Sequence, residues 1–395
     1  MVDQNQGSGA KLPEHYRGVS WLILKVIQVL HHSIGAVDQN ADPQSGQAGW
    51  HELVAREIAK RTSEVDIECW RPESSLSSSQ TWTDEYGVVH RVYPSFRIRY
   101  GMELSLPLME GLRSKLRHDH NFLLHLHGLY NLHTYALVLL MMGKVPIIAQ
   151  SHEIIDARGG ILQRLRNVMR RCALHPIDRF LVSTESEARK LPDVDSNKIE
   201  LAPMPVDLSL FREMNRHHAR TTLGWDPKGH YVLYVGRLEE RKGIPSLLQA
   251  ARILTPRIPD FHLIMVGAGR LDCSSSISAV VNQVNYSDLP TYYNAADLLV
   301  LPSQSESWGR VVLESLACQT PVVATRTGCV PILLKKGMQG LFTIPKNDVP
   351  ALVDGISDAL SQSAGLRAKI NRDLLDEYSS EHFVRRMIII YNELA

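Results

Sequence analysis

The amino-acid sequence predicts an α/β protein with two domains, each built on a parallel β-sheet. Short aliphatic and β-branched segments alternate with amphipathic segments of helical period along the chain, which is typical of βα units. The chain has 395 residues, about twice the length of a typical domain. Because Pro203, Pro205 and Pro227 interrupt the alternation, we expect two doubly wound domains that join in this segment.

The elements of the first domain follow one another from residue 24. Its predicted strands are runs of mainly apolar residues, as expected for strands buried on both faces: 24–30, 65–69, 122–127, 146–149 and 179–183. Its predicted helices, at 51–61 and 162–172, carry apolar residues on one face. The polar lead at 1–18 has no such pattern, and we expect it to lack a fixed structure.

The second domain repeats the alternation. Strands are predicted at 231–234, 261–266, 298–301 and 321–324, with a further strand at 280–284, and helices at 244–254, at 310–317 and from 349 onward. We assign residues 1–205 to the first domain, 206–370 to the second, and 371–395 to a C-terminal helical segment. The last helices, 366–377 and 381–394, are expected to pack back towards the first domain.

Composition excludes several classes of function. Lys and Arg number 43 against 42 Asp and Glu, so no overall positive field would attract nucleic acid. The five cysteines lack the spacing of zinc ligands or of a disulfide framework, which favours free thiols and no metal. The apolar run at 21–30 is too short to span a bilayer, and no secretory signal precedes it. We therefore expect a cytoplasmic enzyme.

The segment 298–325 carries the main functional signal. It is predicted to be a strand, a loop, a helix and a strand, with Glu306 in the loop and Glu314 two helical turns further on. The backbone N–H groups of Ser307, Trp308 and Gly309 would lie at a helix N-terminus, where doubly wound folds bind phosphates. Carboxylates accept paired hydrogen bonds from diols, so a nucleotide sugar would satisfy the acids and the helix end together.

A second loop, at 234–248, supplies positive charge. Arg237 and Lys242 flank a predicted strand-to-helix turn, and both could reach a phosphate at the neighbouring strand end. The alternative is that they only pair with Glu239 and Glu240 on a solvated loop. The combination with the acidic loop favours the phosphate-binding interpretation.

These motifs resemble the retaining glycosyltransferases of family 4, which have two Rossmann-like domains in the GT-B arrangement, facing each other across a cleft. The family's E-x7-E element is similar to Glu306–Glu314, its G-R-L-x-x-x-K-G loop to residues 236–243, and its A-D-x-x-x-x-P-S strand to residues 296–303. The resemblance implies that Glu314 holds the ribose hydroxyls and Glu306 those of the donor sugar. Arg237 and Lys242, beside Gly236, would neutralise the departing diphosphate.

The resemblance extends to the first domain. It implies a donor-side turn at Gly46, a donor contact at Ser183, and a catalytic His152 that faces the reacting sugar. His152 is equally consistent with a buried core histidine. The implied donor is a UDP- or GDP-linked hexose, the implied acceptor a hydroxyl of a glycan, glycolipid or lipid-linked molecule, and no further cofactor is implied.

Some residues depart from the family pattern. Pro205 stands where the junction usually has glycine, Ile332 where an acid is usual, and the segment 269–288 is short. A GT-B epimerase or phosphorylase, or a binding protein without catalytic activity, therefore stays open as an alternative. A dehydrogenase is disfavoured because the glycine pair 267 and 269 is not completed by a glycine at 272, which is Asp272.

Two further patterns have two interpretations each. His125 and His127 alternate on one predicted strand, but no third ligand follows at metal spacing, which favours core or edge histidines. The segment 157–177 carries five arginines and no acid beside an apolar helical stripe. It is either a helix packed on its own sheet or a contact with anionic lipid or a phosphorylated acceptor through Arg158, Arg164, Arg166, Arg170 and Arg171.

Overall fold

Two parallel β-sheets, one from each half of the chain, form the framework of the molecule. The computed structural model describes residues 24–30, 50–98, 102–129, 131–151, 172–191, 194–269, 278–281 and 284–395. The predicted α/β class with two Rossmann-like domains is confirmed.

The first domain is described between residues 24 and 201. Its strands are β1 (Leu24–Leu30), β2 (Val65–Glu73), β3 (Gln80–Thr83), β4 (Val89–Pro94), β5 (Phe96–Ile98), β6 (Met102–Leu104), β7 (Phe122–His127), β8 (Ile147–Gln150), β9 (Arg179–Val182) and β10 (Ile199–Leu201). Its helices are α1 (Trp50–Arg61), α2 (Leu106–His118), α3 (Leu132–Met141) and α4 (Glu185–Ala188). Side chains of Ser105 and Asn131 cap the first turns of α2 and α3.

The eight strands of the first sheet lie in the order β10-β9-β8-β7-β1-β2-β4-β3. All pairings are parallel except that of β3 with β4. Apolar side chains cover both faces of β1: Ile27 packs with Leu108 of α2 and Leu137 of α3, whereas Val26 packs on the face of α1. This two-sided burial explains the continuous apolar run of the strand.

The second domain follows a linker, residues 202–215, which connects β10 to the first helix of that domain. Its strands are β11 (His230–Val235), β12 (Phe261–Val266), β13 (Ser278–Val281), β14 (Leu298–Leu301), β15 (Val322–Thr325) and β16 (Leu341–Ile344), all parallel, in the order β13-β12-β11-β14-β15-β16. Its helices are α5 (Arg216–Leu223), α6 (Ile244–Leu254), α7 (Leu289–Ala295), α8 (Arg310–Ala317), α9 (Val330–Lys335) and α10 (Val349–Arg367). Because β11 and β14 are neighbours, the loops that follow them lie side by side at the carboxyl edge of the sheet.

The chain then returns to the first domain through a 3-10 segment (Arg372–Tyr378) and the final helix α11 (Ser380–Leu394). Phe383, Val384 and Met387 of α11 are buried against Val54 and Ile58 of α1. The linker and this returning segment are bonded together, since Val206 N donates to the carbonyl oxygen of Tyr378 at 2.8 Å. The chain therefore crosses between the domains twice, once in the linker and once in this returning segment, and the two crossings lie side by side.

Three sequence predictions are corrected here. The helix predicted at 366–377 is wrong: α10 ends at Arg367, whose guanidinium donates to the carbonyl of Ala296 at 2.5 Å, and a separate 3-10 segment follows. The strand predicted at 280–284 lies at Ser278–Val281, where it pairs with β12. The sequence analysis also omitted the β3–β6 strands and helices α2 and α3. The predicted helix 162–172 lies outside the described residues, apart from Cys172.

Candidate functional site

Two loops of the second domain meet at the carboxyl edge of its sheet, one after β11 and one after β14. Gly243, the residue before α6, has φ +75°, and a Cβ on it would lie 2.1 Å from the carbonyl oxygen of Pro302. Glycine is therefore required both for the left-handed backbone and for the close approach of the two loops. The backbone N–H of Gln304 also donates to the carbonyl of Arg241 at 2.9 Å, which ties the loops together.

This contact brings Lys242 to Glu306. The Lys242 ammonium lies 2.8 Å from both Oε1 and Oε2 of Glu306, and the hydroxyl of Ser303 donates to Oε1 at 2.6 Å. The Glu306 side chain is only 8% exposed, so this ion pair is well shielded from water. The structure thus brings together two of the residues singled out in the sequence, and Lys242 pairs with Glu306 rather than with Glu240.

The predicted helix end is present between Glu306 and α8. Gly309 has φ +81°, and no side chain caps the first turn of α8. The first N–H groups of this turn have no carbonyl within the helix before them, so they form a positive end next to the Lys242–Glu306 pair. The indole of Trp308 is buried against Tyr378.

Arg237 occupies a different environment from Lys242. Its guanidinium lies 3.2 Å from Oε1 of Glu239, and its side chain is half exposed. Gly236 and Arg237 line a cavity of about 280 Å³ with Gly267, Ala268, Val284 and other apolar residues at the ends of β11 and β12. For Arg237, the pairing with Glu239 that the sequence left open is therefore present in the structure.

Glu314 is buried on α8 and held by three side chains. The Nε of Arg310 donates to its Oε1 at 2.9 Å, and Tyr293 donates to its Oε2 at 2.8 Å. The hydroxyl of Tyr286 lies 3.4 Å from Oε1. Arg310 lies four residues before Glu314 on the helix, a spacing that could have been found in the sequence. The two tyrosines come from other elements, and no sequence signal identifies them.

Sequence-predicted residues of the first domain are described only in part. Gly46 and His152 lie outside the described residues, and so do the five arginines at 158–171. Ser183 follows β9, and its backbone N–H donates to Oε2 of Glu187 at 2.7 Å. Burial raises the pKa of Glu187 to about 7.

A layer of buried polar side chains lies near the carboxyl ends of β1 and β7, and it includes His125 and His127, for which the sequence favoured core or edge histidines. The hydroxyl of Tyr391, on α11, lies 2.8 Å from Nδ1 of His125 and accepts from Gln28 at 3.2 Å. His127 lies 3.2 Å from the amide oxygen of Gln28. Burial lowers the pKa of His125 to about 3, so the imidazole is neutral at physiological pH.

Neither a metal cluster nor a membrane-spanning helix is found among the described residues. In those ranges, no three His, Cys, Asp or Glu side chains come close enough to hold a metal ion. Over the same part of the chain, no helix has the length and apolar character to cross a membrane. The described cysteines, Cys69, Cys172, Cys318 and Cys329, are free thiols.

The two domains face each other across a cavity of about 170 Å³. Arg56, Lys60 and Tyr86 line it from the first domain, and Tyr286 and Arg310 from the second. Asp207 of the linker and Phe383 of α11 contribute to the same wall. Two of the three side chains that contact Glu314, Tyr286 and Arg310, therefore line the cleft between the domains.

Comparison with known proteins identifies relatives for both domains. Residues 51–210 match the family described as "Glycosyltransferase Family 4", and residues 215–373 match "Glycosyl transferases group 1". The D-inositol 3-phosphate glycosyltransferase of Pseudarthrobacter chlorophenolicus is 30% identical over 335 residues, which cover 76% of this chain and 79% of that protein. The protein of the same name from Arthrobacter sp. is 30% identical over 334 residues, with the same coverage.

Solved structures share the fold at lower identity. Sucrose-phosphate synthase from Thermosynechococcus elongatus superposes with a TM-score of 0.72 at 20% identity, over 94% of this chain and 99% of that chain. Anabaena Alr3699/HepE in complex with UDP and glucose superposes with a TM-score of 0.67 at 16% identity, over 93% and 99%. These likenesses confirm the predicted GT-B fold.

Proposed function

The chain belongs to the family 4 glycosyltransferases, and from this premise we propose that it transfers a hexose from a nucleotide diphosphate donor to an acceptor hydroxyl. The donor is a UDP- or GDP-linked sugar, and the configuration at the anomeric carbon is retained. The observation that carries the proposal is the pair of Lys242 and Glu306 beside the N-terminus of α8.

The ammonium group of Lys242 has three N–H bonds that can donate hydrogen bonds. Two of them are directed to the carboxylate oxygens of Glu306, both at 2.8 Å. The third N–H is left for a phosphate oxygen, so one side chain can orient Glu306 and bind the diphosphate. Glu306 would in turn accept hydrogen bonds from hydroxyls of the donor sugar.

Charge separation at the reacting bond must also be stabilised. Breaking the bond between sugar and phosphate leaves a cationic ring and an anionic diphosphate, so the main catalytic demand is charge stabilisation that is already in place. Lys242, Arg237 and the N–H groups at Ser307, Trp308 and Gly309 supply it, and we propose that no metal ion is needed.

The proposed retention depends on which face of the sugar the acceptor attacks. A carboxylate bound to an ammonium through both oxygens is a weak nucleophile, so we assign no covalent intermediate to it. We propose instead that the departing phosphate accepts the proton of the acceptor hydroxyl on the same face of the sugar, with His152 facing that sugar from the first domain. Closure of the two domains would exclude water and so prevent hydrolysis of the donor.

The acceptor is a hydroxyl of a glycan, a glycolipid or a lipid-linked molecule. The relatives are named for inositol 3-phosphate, and a polyol phosphate therefore belongs in the acceptor panel. Contact of the arginines at 158–171 with anionic lipid or with a phosphorylated acceptor would fit either choice.

The test begins with thermal unfolding in the presence of UDP, GDP, ADP and their sugars. A true donor raises the melting temperature because it binds only the folded state. At 100 times its Kd it adds about 2.7 kcal/mol to the free energy of unfolding. Transfer is then followed by release of the nucleoside diphosphate, and the anomeric configuration of the product is determined by NMR. Lys242→Met should lower turnover by about 100-fold.

Lys25→Met is the matched control. Lys25 forms a similar pair with Asp119 at 2.5 Å, but at the amino end of β1, away from the proposed site. The control should keep wild-type turnover. Equal turnover of the two variants would refute the proposal, and a sugar that is epimerised or phosphorolysed without reaching an acceptor would identify a different GT-B reaction.

A further inference from the structure

The three hydrogen-bond donors around Glu314 leave too few acceptor positions for a diol. A carboxylate offers about four such positions, two on each oxygen. Arg310 and Tyr286 both lie at Oε1, at 2.9 and 3.4 Å, and Tyr293 lies at Oε2. The side chain of Glu314 is 2% exposed. A vicinal diol that binds both oxygens must therefore displace one of the groups at Oε1.

The three donors differ in their freedom to leave. Tyr293 is fully buried on α7, with its ring 5.9 Å from that of Phe211. Tyr286 begins the 3-10 turn (Tyr286–Asp288) that precedes α7, and like Arg310 it lines the interdomain cavity. The 3.4 Å contact of the Tyr286 hydroxyl is at the long limit for an O–H···O bond, so this donor is the easiest to displace.

Packing holds the ring of Tyr286 in position when its hydroxyl is released. The guanidinium of Arg310 lies 5.0 Å above the ring, and Phe211 of the linker packs edge-on against it at 5.2 Å. A small rotation would move the hydroxyl towards the cavity of about 170 Å³ while the ring stays between Arg310 and Phe211.

We propose that Tyr286 is a specificity-determining residue that covers Glu314 and gives way to the vicinal diol of a ribonucleotide. This inference rests on the proposed function, in which Glu314 binds the donor ribose. The Tyr286 hydroxyl occupies one position on Oε1 until one hydroxyl of the diol replaces it, while the other hydroxyl takes the vacant position on Oε2. A 2′-deoxyribonucleotide offers only one hydroxyl, which the vacant position on Oε2 can accept without displacing Tyr286. Arg310 stays in place and keeps the buried carboxylate oriented.

Removing the hydroxyl of Tyr286 and removing that of Tyr293 should have opposite effects on nucleotide binding. Tyr286→Phe keeps the ring but removes the competing hydroxyl, so UDP or GDP should bind about two- to fivefold more tightly. The 2′-deoxy form of the same nucleotide should bind as in the wild type. Tyr293→Phe removes a fixed donor that orients Glu314, so the ribonucleotide should bind more weakly.

Isothermal titration calorimetry with UDP, GDP and their 2′-deoxy forms measures these effects. Tyr292→Phe is the control, because Tyr292 lies beside Tyr293 on α7 but packs against Trp225, and this change should leave all affinities unchanged. Weaker ribonucleotide binding by Tyr286→Phe, or the same change for ribo and deoxy forms, would overturn the inference. If the nucleotides bind and depend on Lys242 while Tyr286→Phe behaves as the wild type, the inference fails and the proposed function stands. If none of them binds, the proposed function fails as well.

Discussion

Replacement of Gly243 by alanine tests whether the contact between the two loops positions Lys242 and Glu306, the proposed catalytic pair. An alanine at φ +75° costs about 1–2 kcal/mol for the left-handed backbone alone. Its Cβ would also lie 2.1 Å from the carbonyl oxygen of Pro302, closer than the 3.0 Å that real Cβ atoms keep. The loops must separate by about 0.9 Å, the difference between these distances, which adds about 1–3 kcal/mol of overpacking.

The same displacement acts on Lys242, the residue next to Gly243. An added 0.9 Å would lengthen its 2.8 Å contacts with Glu306 beyond hydrogen-bond distance. A displacement of about 1 Å at a catalytic group lowers turnover by about 100-fold, and we expect a loss of that order.

Gly337→Ala provides the matched control. Gly337 has nearly the same backbone angle, φ +79°, but a Cβ added to it would meet no atom within 4 Å, so only the backbone penalty applies. Thermal unfolding should show Gly243→Ala melting about 2–12 °C below Gly337→Ala. Donor turnover should fall in Gly243→Ala alone. Equal melting temperatures together with wild-type turnover in Gly243→Ala would refute the reasoning.

Three further predictions concern stability and surface contacts. Burial holds the pKa of His125 at about 3, against 6.5 in the unfolded chain, so the neutral imidazole contributes its full share to the free energy of unfolding above pH 6.5. That stability is lost as the pH falls towards 3, by at most about 5 kcal/mol. In His125→Gln, the melting temperature should therefore depend less on pH over this range. The buried carboxylate of Asp297 lies 2.7 Å from the guanidinium of Arg220. Arg220→Met removes this cationic partner and should lower the free energy of unfolding by about 3–5 kcal/mol, measured by urea titration. If the basic segment binds anionic lipid, flotation with anionic liposomes should recover less of the variant in which glutamine replaces Arg164, Arg166, Arg170 and Arg171, and equal recovery would end that hypothesis.

The sequence predicted those parts of the fold that depend on local pattern. The strand at Leu298–Leu301 was found as predicted because a run of apolar residues between polar loops has few other solutions in a parallel sheet. The helix predicted at 366–377 was wrong because tertiary contacts end α10 early: Arg367 donates to the carbonyl of Ala296, and Arg372 to that of Leu208. Such bonds reach residues more than 70 positions away and leave no trace in local periodicity.

The candidate site, like the fold, could be predicted only in part from the sequence. The types and spacing of Glu306 and Lys242 indicated chemistry, and the structure adds that they contact each other. For Asp297, which the resemblance placed in a strand motif, the structure shows a buried partner of Arg220 and of the backbone N–H of Tyr231. The partners of Glu314 could not be predicted in full, because two of them, Tyr286 and Tyr293, approach it from a different part of the domain.

The two acids of the site have a common electrostatic arrangement. Glu306 is paired with Lys242 and Glu314 with Arg310, so each buried carboxylate already has a cation within 3 Å. Burying either acid alone would be strongly unfavourable, and its pair removes most of that penalty. In the proposed function, a diphosphate would therefore meet cations that are already engaged, and it would bind through their remaining N–H groups and the amides at the start of α8. This arrangement holds the two carboxylates in place for neutral hydroxyls. In the proposed function, recognition of the sugar and of the ribose would therefore not require either acid to give up its cation when the phosphates arrive.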